Sequence, residues 1–158
     1  MATRYLSCEE VVELHDKILQ RQGVSPQPLR SRDALDGALA RVEHLAHYES
    51  SSLAEQAAAL AISISQAQAF VDGNKRTGYM ALIRFLDLNG FVFTGDGLHL
   101  AKYLEVQAFL SQIAGKGDEP SRLGREALTI WIESVIQPKT QGYRVVITGS
   151  VSPSQQPE

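Results

Sequence analysis

The chain has 158 residues, of which 44% are hydrophobic and 21% are charged, with a formal net charge of −3. A chain of this length and composition forms a single globular domain with a buried core, and its acidic balance argues against a primary nucleic-acid surface, which would be basic. No apolar run is long enough to span a membrane and the N-terminus lacks the apolar core of a signal peptide, so we expect a cytoplasmic protein with no membrane and no direct nucleic-acid partner.

Two helices are predicted in the N-terminal third of the sequence. Ser7 and Glu10 form a Ser-x-x-Glu capping box, and apolar residues follow at helical spacing until Gly23, a predicted C-cap. Residues 24–31 contain two prolines and predict a loop. A second helix is predicted from 32 to 47, because its apolar residues recur on one face.

The middle of the chain predicts a helix, a polar turn and another helix. An alanine-rich helix should run from 53 to about 69. The turn should occupy 70–73, with residues 74–76 opening a fourth helix that continues to Leu88. Asn89 and Gly90 are a stop signal for that helix.

The remaining sequence predicts a short extended stretch at 91–93, a fifth helix at 98–114 and a sixth helix at 123–136. The elements together predict an all-α fold, a compact bundle of about six helices with a short extended segment. We expect this helical domain to span 1–137 and residues 138–158 to form a flexible tail. The residues expected to face inward from the sixth helix are Leu123, Ala127, Ile130/Trp131 and Val135.

The polar segment Asp72-Gly73-Asn74-Lys75-Arg76 carries the chemistry that is easiest to interpret. At a helix start the backbone N–H groups lack intrahelical partners and the helix dipole favours negative charge. Two cations lie beside them, and Asp72 offers a hard oxygen ligand for a phosphate-bound Mg²⁺. The segment therefore predicts a nucleotide-phosphate site, although a solvated polar turn between helices would have a similar composition.

The residues Phe70-x-Asp-Gly-Asn-Lys-Arg76 resemble the signature of the Fic/Doc superfamily. The ending Lys75-Arg76 resembles the Doc (death-on-curing) toxin branch of type II toxin–antitoxin systems. The resemblance extends from about Tyr5 to Tyr103 and includes Leu14-His15-Asp16. It implies the superfamily's helical bundle, and it implies ATP and Mg²⁺ as cofactors.

The resemblance also implies transfer of a phosphoryl group from ATP to a hydroxyl of a host protein, with translation elongation factor Tu as the type of target. Translation would be blocked, and a cognate antitoxin protein would be a partner. The implied catalytic positions are Gln68, Lys75 and Arg76, where Gln68 occupies the position of the family's catalytic base. The implied nucleotide-binding residues are Gly73, Asn74, Lys75 and Arg76, and the implied metal ligand is Asp72.

Gln68 departs from the family signature, which has histidine at this position. An imidazole titrates near neutral pH and can take a proton, whereas a carboxamide offers only hydrogen bonds. Two alternatives therefore stay open: AMP transfer (AMPylation), the chemistry of the Fic branch, and a catalytically silent module that binds nucleotide or a partner. Lys75 stands where the Fic branch has glycine and favours the Doc reaction.

The remaining candidate ligands have structural explanations. Cys8 is the single cysteine, so disulfides within the chain and cysteine-built metal sites are excluded. His15 lies on an apolar helix face and is predicted to be a core residue. His44 and His47 have a spacing that can chelate a metal, but no third ligand is evident, so surface placement is predicted. His99 should face solvent.

A docking surface for the antitoxin is a further possibility. Residues 57–61 and the apolar stripe of 123–136 could be helix faces that the fold leaves exposed, and helix-in-groove docking uses such faces. Burial of both stripes in the core is the alternative.

Overall fold

The computed structural model of the chain describes residues 2–25, 27–48, 50–104 and 119–139, of which 119–123 are described by their backbone only. These residues form six helices and one small antiparallel sheet, and no helix among them is long and apolar enough to cross a membrane. The elements are α1 (Cys8–Arg21), α2 (Arg32–Tyr48), α3 (Leu53–Ala67), α4 (Asn74–Leu88), β1 (Phe91–Phe93), α5 (97–104), α6 (Glu119–Ser134) and β2 (Ile136–Pro138).

Reciprocal hydrogen bonds fix the starts of α1 and α3. The Glu10 N–H donates to Ser7 Oγ at 3.1 Å, and the Ser7 N–H donates to Glu10 Oε1 at 3.0 Å, as the sequence predicts. Ser52 and Glu55 form the same pair of bonds at 3.1 and 2.9 Å. Each capping box satisfies N–H groups that a helix start otherwise leaves unpaired. The predicted all-α fold is confirmed, with helix bounds within a few residues of those expected.

Helix α3 is the centre of the bundle and packs against α2, α4 and α6. Its alanine-rich stretch 57–61 is buried throughout, so the suggestion that this stretch forms an exposed docking surface is wrong. The small side chains of this stretch instead allow the neighbouring helices to pack closely against α3. A Cβ added at Gly78 of α4 would lie 2.6 Å from the carbonyl oxygen of Ala61, which shows how closely the two backbones approach.

The inward face of α6 differs from the predicted one. Leu128 and Ile132 are buried, whereas Ile130 is 69% exposed and Ala127 is also exposed. The side chain of Leu123 lies outside the described part, while Trp131 and Val135 are half-buried. Two apolar stripes share this helix, and the one with Leu128 and Ile132 is buried where α6 packs in the bundle with α3.

The sheet ties the end of the described chain to the bundle. Residues of β1 pair antiparallel with β2, with Phe91 opposite Pro138 and Phe93 opposite Ile136. Lys139 follows β2, and its Nζ lies 2.7 Å from Asp87 Oδ1. Pro138 and Lys139 therefore contact the helical bundle just beyond the boundary predicted at 137. The rest of the predicted tail lies outside the described residues, as does the second half of the predicted fifth helix.

The Asp87 ion pair makes a small, pH-dependent contribution to stability. The hydrogen bond from Lys139, aided by the charge of Arg84, lowers the pKa of Asp87 below its ordinary value of 3.8. The unfolded state therefore binds the proton more tightly, so the stabilisation is present above the unfolded pKa and is lost as pH falls through the folded pKa.

We expect Asp87→Asn to lower the free energy of unfolding at neutral pH by less than about 1 kcal/mol, because Asp87 is 43% exposed and solvent screens the pair. Urea unfolding at pH 7 and at successively lower pH would measure this, with the difference shrinking as the pH falls through the lowered pKa of Asp87. Glu13→Gln on the exposed side of α1 is the control. A difference between Asp87→Asn and the parent chain that persisted in acid would contradict the assignment.

Cys8 lies in the first turn of α1 with 6% of its surface exposed. Burial raises the pKa of its thiol. A buried thiol with a raised pKa supplies little thiolate, which is the reactive form of cysteine.

Candidate functional site

The site lies where the chain turns from α3 into α4. Helix α3 ends at Ala67, and Gln68 follows in the left-handed region with φ +55° and ψ +36°. Gly73 is the N-cap of α4 with φ +82°. The predicted arrangement of two helices joined at 70–73 is confirmed, with residues 74–76 opening the second. The left-handed conformation is uncommon for residues other than glycine, so the backbone conformation at Gln68 is unusual.

Phe70 and Asn74 hold the turn, which is hereafter called the α3–α4 loop (68–74). Phe70 is 1% exposed and anchors the loop in the hydrophobic core. Its N–H donates to Asn74 Oδ1 at 3.1 Å, and Asn74 Nδ2 donates to its carbonyl oxygen at 2.9 Å. The side-chain amide of Asn74 thus pairs with both the N–H and the carbonyl oxygen of Phe70, as a neighbouring backbone segment would. Its side chain is therefore committed to the loop, and only its backbone is left for the predicted contact with phosphate.

Asp72 and Gly73 occupy the rim of the loop. The Gly73 N–H donates to Asp72 Oδ1 at 2.8 Å, which orients the carboxylate. The carbonyl of Gly73 accepts from the N–H and the Oγ1 of Thr77 at 2.9 and 2.8 Å. Within the described ranges no donor reaches Asp72 Oδ2. This exposed oxygen is free to coordinate a cation, which fits the predicted role of Asp72 as a metal ligand.

The start of α4 is open to an anion. Gly73 provides no side-chain cap, and the first backbone bond of the helix comes from Thr77. The N–H groups of 74–76 have no acceptor among the residues that the structure describes, whereas the Gly73 N–H donates to Asp72 Oδ1. Lys75 and Arg76 are exposed beside them, and neither contacts a carboxylate in that part of the chain. Open N–H groups, the helix dipole and two available cations together suit a phosphate.

His15 of α1 also contacts the loop. Its burial was expected, and it is 1% exposed. Its ring stacks on Phe70 with centroids 3.8 Å apart, and Nε2 lies 2.8 Å from the carbonyl oxygen of Asp72. Nδ1 lies 3.2 Å from Asp16 Oδ1. The sequence pattern placed His15 on an apolar face but carried no signal for this contact across 57 positions.

The loop and the end of α1 enclose an open depression of about 610 Å³. All predicted site residues contribute to it. Two lining residues, Gln22 and Val71, were not predicted, because only the approach of α1 to the loop brings Gln22 here. Gln68 is exposed, and its Nε2 lies 3.4 Å from the carbonyl oxygen of Ser65. The lining residues are Gln22, Gln68, Val71, Asp72, Gly73, Asn74, Lys75 and Arg76.

The other histidines lie elsewhere. His44 and His47 are exposed on α2 and pack against Tyr48, with ring centroids 4.5 and 4.8 Å apart. No group of three His, Cys, Asp or Glu side chains in the described residues could hold a metal. His99 is exposed and lies against Trp131. The predicted surface placement of these three histidines is confirmed.

The sequence of the chain is similar to those of known proteins. A family model described as the Fic/DOC family matches residues 5–86, which include α1, the α3–α4 loop and most of α4. Among curated proteins, the chain is 33% identical over 90 residues to "Protein kinase doc" of Escherichia phage P1. That match covers 55% of this chain and 69% of the phage protein.

Proposed function

The chain belongs to the Fic/DOC family, and from that membership we propose that it is a Doc-like toxin that transfers a phosphoryl group from ATP to a hydroxyl of a host protein. The proposed target is a protein of the translation elongation factor Tu type, so that transfer blocks translation, and a cognate antitoxin protein is the proposed partner. The observation that carries the proposal is the open start of α4, with two available cations and one available carboxylate oxygen.

Phosphate binding would use separate parts of this pocket. The N–H groups at the start of α4 and the side chains of Lys75 and Arg76 supply donors and positive charge to phosphate oxygens. Asp72 Oδ2 would hold a Mg²⁺ ion, which neutralises phosphate charge when bound. Phosphoryl transfer depends mainly on positioning and charge neutralisation, so this set of residues supplies most of what the reaction needs.

Proton transfer is the part of the reaction that this chain supports least. As the acceptor hydroxyl oxygen attacks the γ-phosphorus and the bond to ADP breaks, the hydroxyl proton must leave. Gln68 lies at the edge of the pocket, where the family has its base. Its carboxamide oxygen can accept a hydrogen bond and orient the hydroxyl, but it cannot keep the proton. A catalytically silent module that binds nucleotide is therefore the second candidate function, favoured by Gln68 itself.

We expect Mg²⁺–ATP to bind with Gln68 in place, because the phosphate-binding groups do not include the carboxamide. Asp72→Ala and Lys75→Ala should each weaken binding by roughly tenfold or more, since a hydrogen bond to a charged group contributes about 1.5–3 kcal/mol. Isothermal titration calorimetry would measure the affinities. His44→Ala is the matched control, because His44 is exposed on α2 and does not line the pocket.

Two results would count against nucleotide binding at this site. One is the absence of heat at millimolar ATP with Mg²⁺. The other is equal weakening by His44→Ala and Lys75→Ala, since His44 lies outside the proposed pocket. AMP transfer, the Fic reaction, predicts the same binding behaviour and is separated from phosphoryl transfer by the position of a radiolabel on ATP.

A further inference from the structure

We propose that His15 is a positioning residue of the phosphate pocket, which it serves by fixing the orientation of the peptide unit between Asp72 and Gly73. This inference rests on the proposed nucleotide binding for its functional consequence, but not for its structural test. His15 belongs to α1, whereas the pocket is formed chiefly by the α3–α4 loop and the start of α4. It lies behind the loop and does not line the pocket.

The contact of His15 with the loop has a defined direction. A carbonyl oxygen only accepts hydrogen bonds, so at 2.8 Å from the Asp72 oxygen the Nε2 atom must carry the proton and donate it. The flat stack on Phe70, with an interplanar angle of 10°, holds the ring in position for that bond. A doubly protonated ring would also donate from Nδ1 to Asp16, but the proposal requires only the Nε2–H.

The bond acts on the carboxylate through a single peptide unit. The carbonyl of Asp72 and the N–H of Gly73 belong to the same planar amide and point in opposite directions. The carbonyl accepts from His15, and the N–H donates to Asp72 Oδ1 at 2.8 Å. Rotation of this amide would break both bonds together. His15 therefore orients the carboxylate indirectly, and the carboxylate leaves Oδ2 exposed for a cation.

The peptide unit needs this support because of its glycine. Gly73 has φ +82°, and glycine visits both signs of φ, so rotation of the amide that precedes it meets little steric resistance. Neighbouring carbonyls are held from within the loop and α4: Phe70 by Asn74 and Gly73 by Thr77. Among the described residues, the carbonyl of Asp72 is instead held from α1.

Two substitutions separate the two contacts of the imidazole. His15→Phe keeps an aromatic ring to stack on Phe70 but removes the N–H donor. His15→Gln removes the ring but keeps a terminal N–H group at similar reach. Val11→Ala is the control for a general loss of packing, because Val11 is fully buried on the same helix, one turn before His15, and its aliphatic side chain has no hydrogen bond to donate.

The structural test is the exchange rate of the Gly73 amide hydrogen, measured by NMR relative to core amides of α3. We expect His15→Phe to speed this exchange by about tenfold or more, because its hydrogen bond depends on the orientation of the amide. His15→Gln should restore protection. Val11→Ala should lower Tm without changing the ratio between Gly73 and the core amides.

The functional test is the ratio of ATP affinities with Mg²⁺ and with a chelator present. His15→Phe should lower this ratio by about tenfold while leaving the affinity in chelator unchanged, and His15→Gln should recover it. A general structural role would lower both affinities together.

The possible results distinguish the positioning role of His15 from the proposed nucleotide-binding function. Gly73 exchange that is unchanged in His15→Phe overturns the inference, and so does His15→Gln that is as impaired as His15→Phe, which would assign the effect to ring packing. A parent chain that binds no ATP at all would contradict the proposed function, while the exchange measurement would still decide the role of His15.

Discussion

Replacing Gln68 with histidine is expected to raise transfer from ATP to a protein substrate by about 10²–10⁴-fold, the usual contribution of a positioned general base. An imidazole with an ordinary pKa of about 6.5 can take the proton of the acceptor hydroxyl near neutral pH, and a carboxamide cannot. The substitution suits the backbone, because histidine is among the side chains that tolerate the left-handed conformation found at Gln68.

The measurement is radiolabel transfer to cytosolic protein from ATP labelled at the γ- or α-phosphate. Label transferred from the γ-position only indicates phosphoryl transfer, and label transferred from the α-position indicates AMP transfer. Gln68→Asn is the matched control, since asparagine also tolerates positive φ and keeps the carboxamide but supplies no base.

Equal transfer by the parent chain, Gln68→His and Gln68→Asn would mean that the base lies elsewhere. If none of the three transfers label while all bind nucleotide, the chain is a nucleotide-binding module and the transferase proposal fails.

Gly78→Ala is expected to lower the stability of the bundle strongly for a substitution that adds a single methyl group. The added Cβ would lie 2.6 Å from the carbonyl oxygen of Ala61, a backbone atom that can move only if α3 and α4 separate. Overpacking of this kind typically costs about 1–3 kcal/mol, or roughly 2–12 °C in Tm for a chain of this size. Because α3 ends directly before Gln68 and α4 carries Lys75, nucleotide binding should weaken as well.

Gly37→Ala provides the matched control for this experiment. Gly37 is an exposed glycine inside α2, and a Cβ there meets nothing within 4 Å. Alanine is the better helix former, so this substitution should stabilise the protein by about 0.5–1 kcal/mol. Differential scanning calorimetry of both variants would show opposite changes in Tm. A Gly78→Ala variant as stable as the parent chain would contradict the close approach of α3 and α4.

Features that depend on local sequence were predictable. The capping box of Ser7 and Glu10 gave the start of α1, and the polar residues 72–76 between two apolar runs gave the turn before α4. The phosphate-pocket candidates also cluster within one short segment, so their proximity required no knowledge of the fold. Helix ends and turns are determined largely by neighbouring residues, and the sequence carries that information directly.

Features that depend on distant contacts were not predictable from the pattern. The pairing of Phe91 with Pro138 joins positions far apart in the chain, and three residues in each strand are too few for a periodic signal. The contact of His15 with Asp72 has the same character. On α6 the sequence offers two apolar stripes, and only packing against α3 determines that Leu128 and Ile132 face inward. Such choices depend on how the whole bundle packs, which a local pattern does not record.

The burial of Cys8 has a practical consequence for spectroscopy. It is the single cysteine of the chain, and its thiol is both shielded and held above its ordinary pKa by burial. A cysteine introduced at Val71, which is 60% exposed on the pocket rim, would therefore be the preferentially reactive thiol for a maleimide dye. An environment-sensitive fluorophore attached there would report nucleotide entry in real time, without first removing the native cysteine.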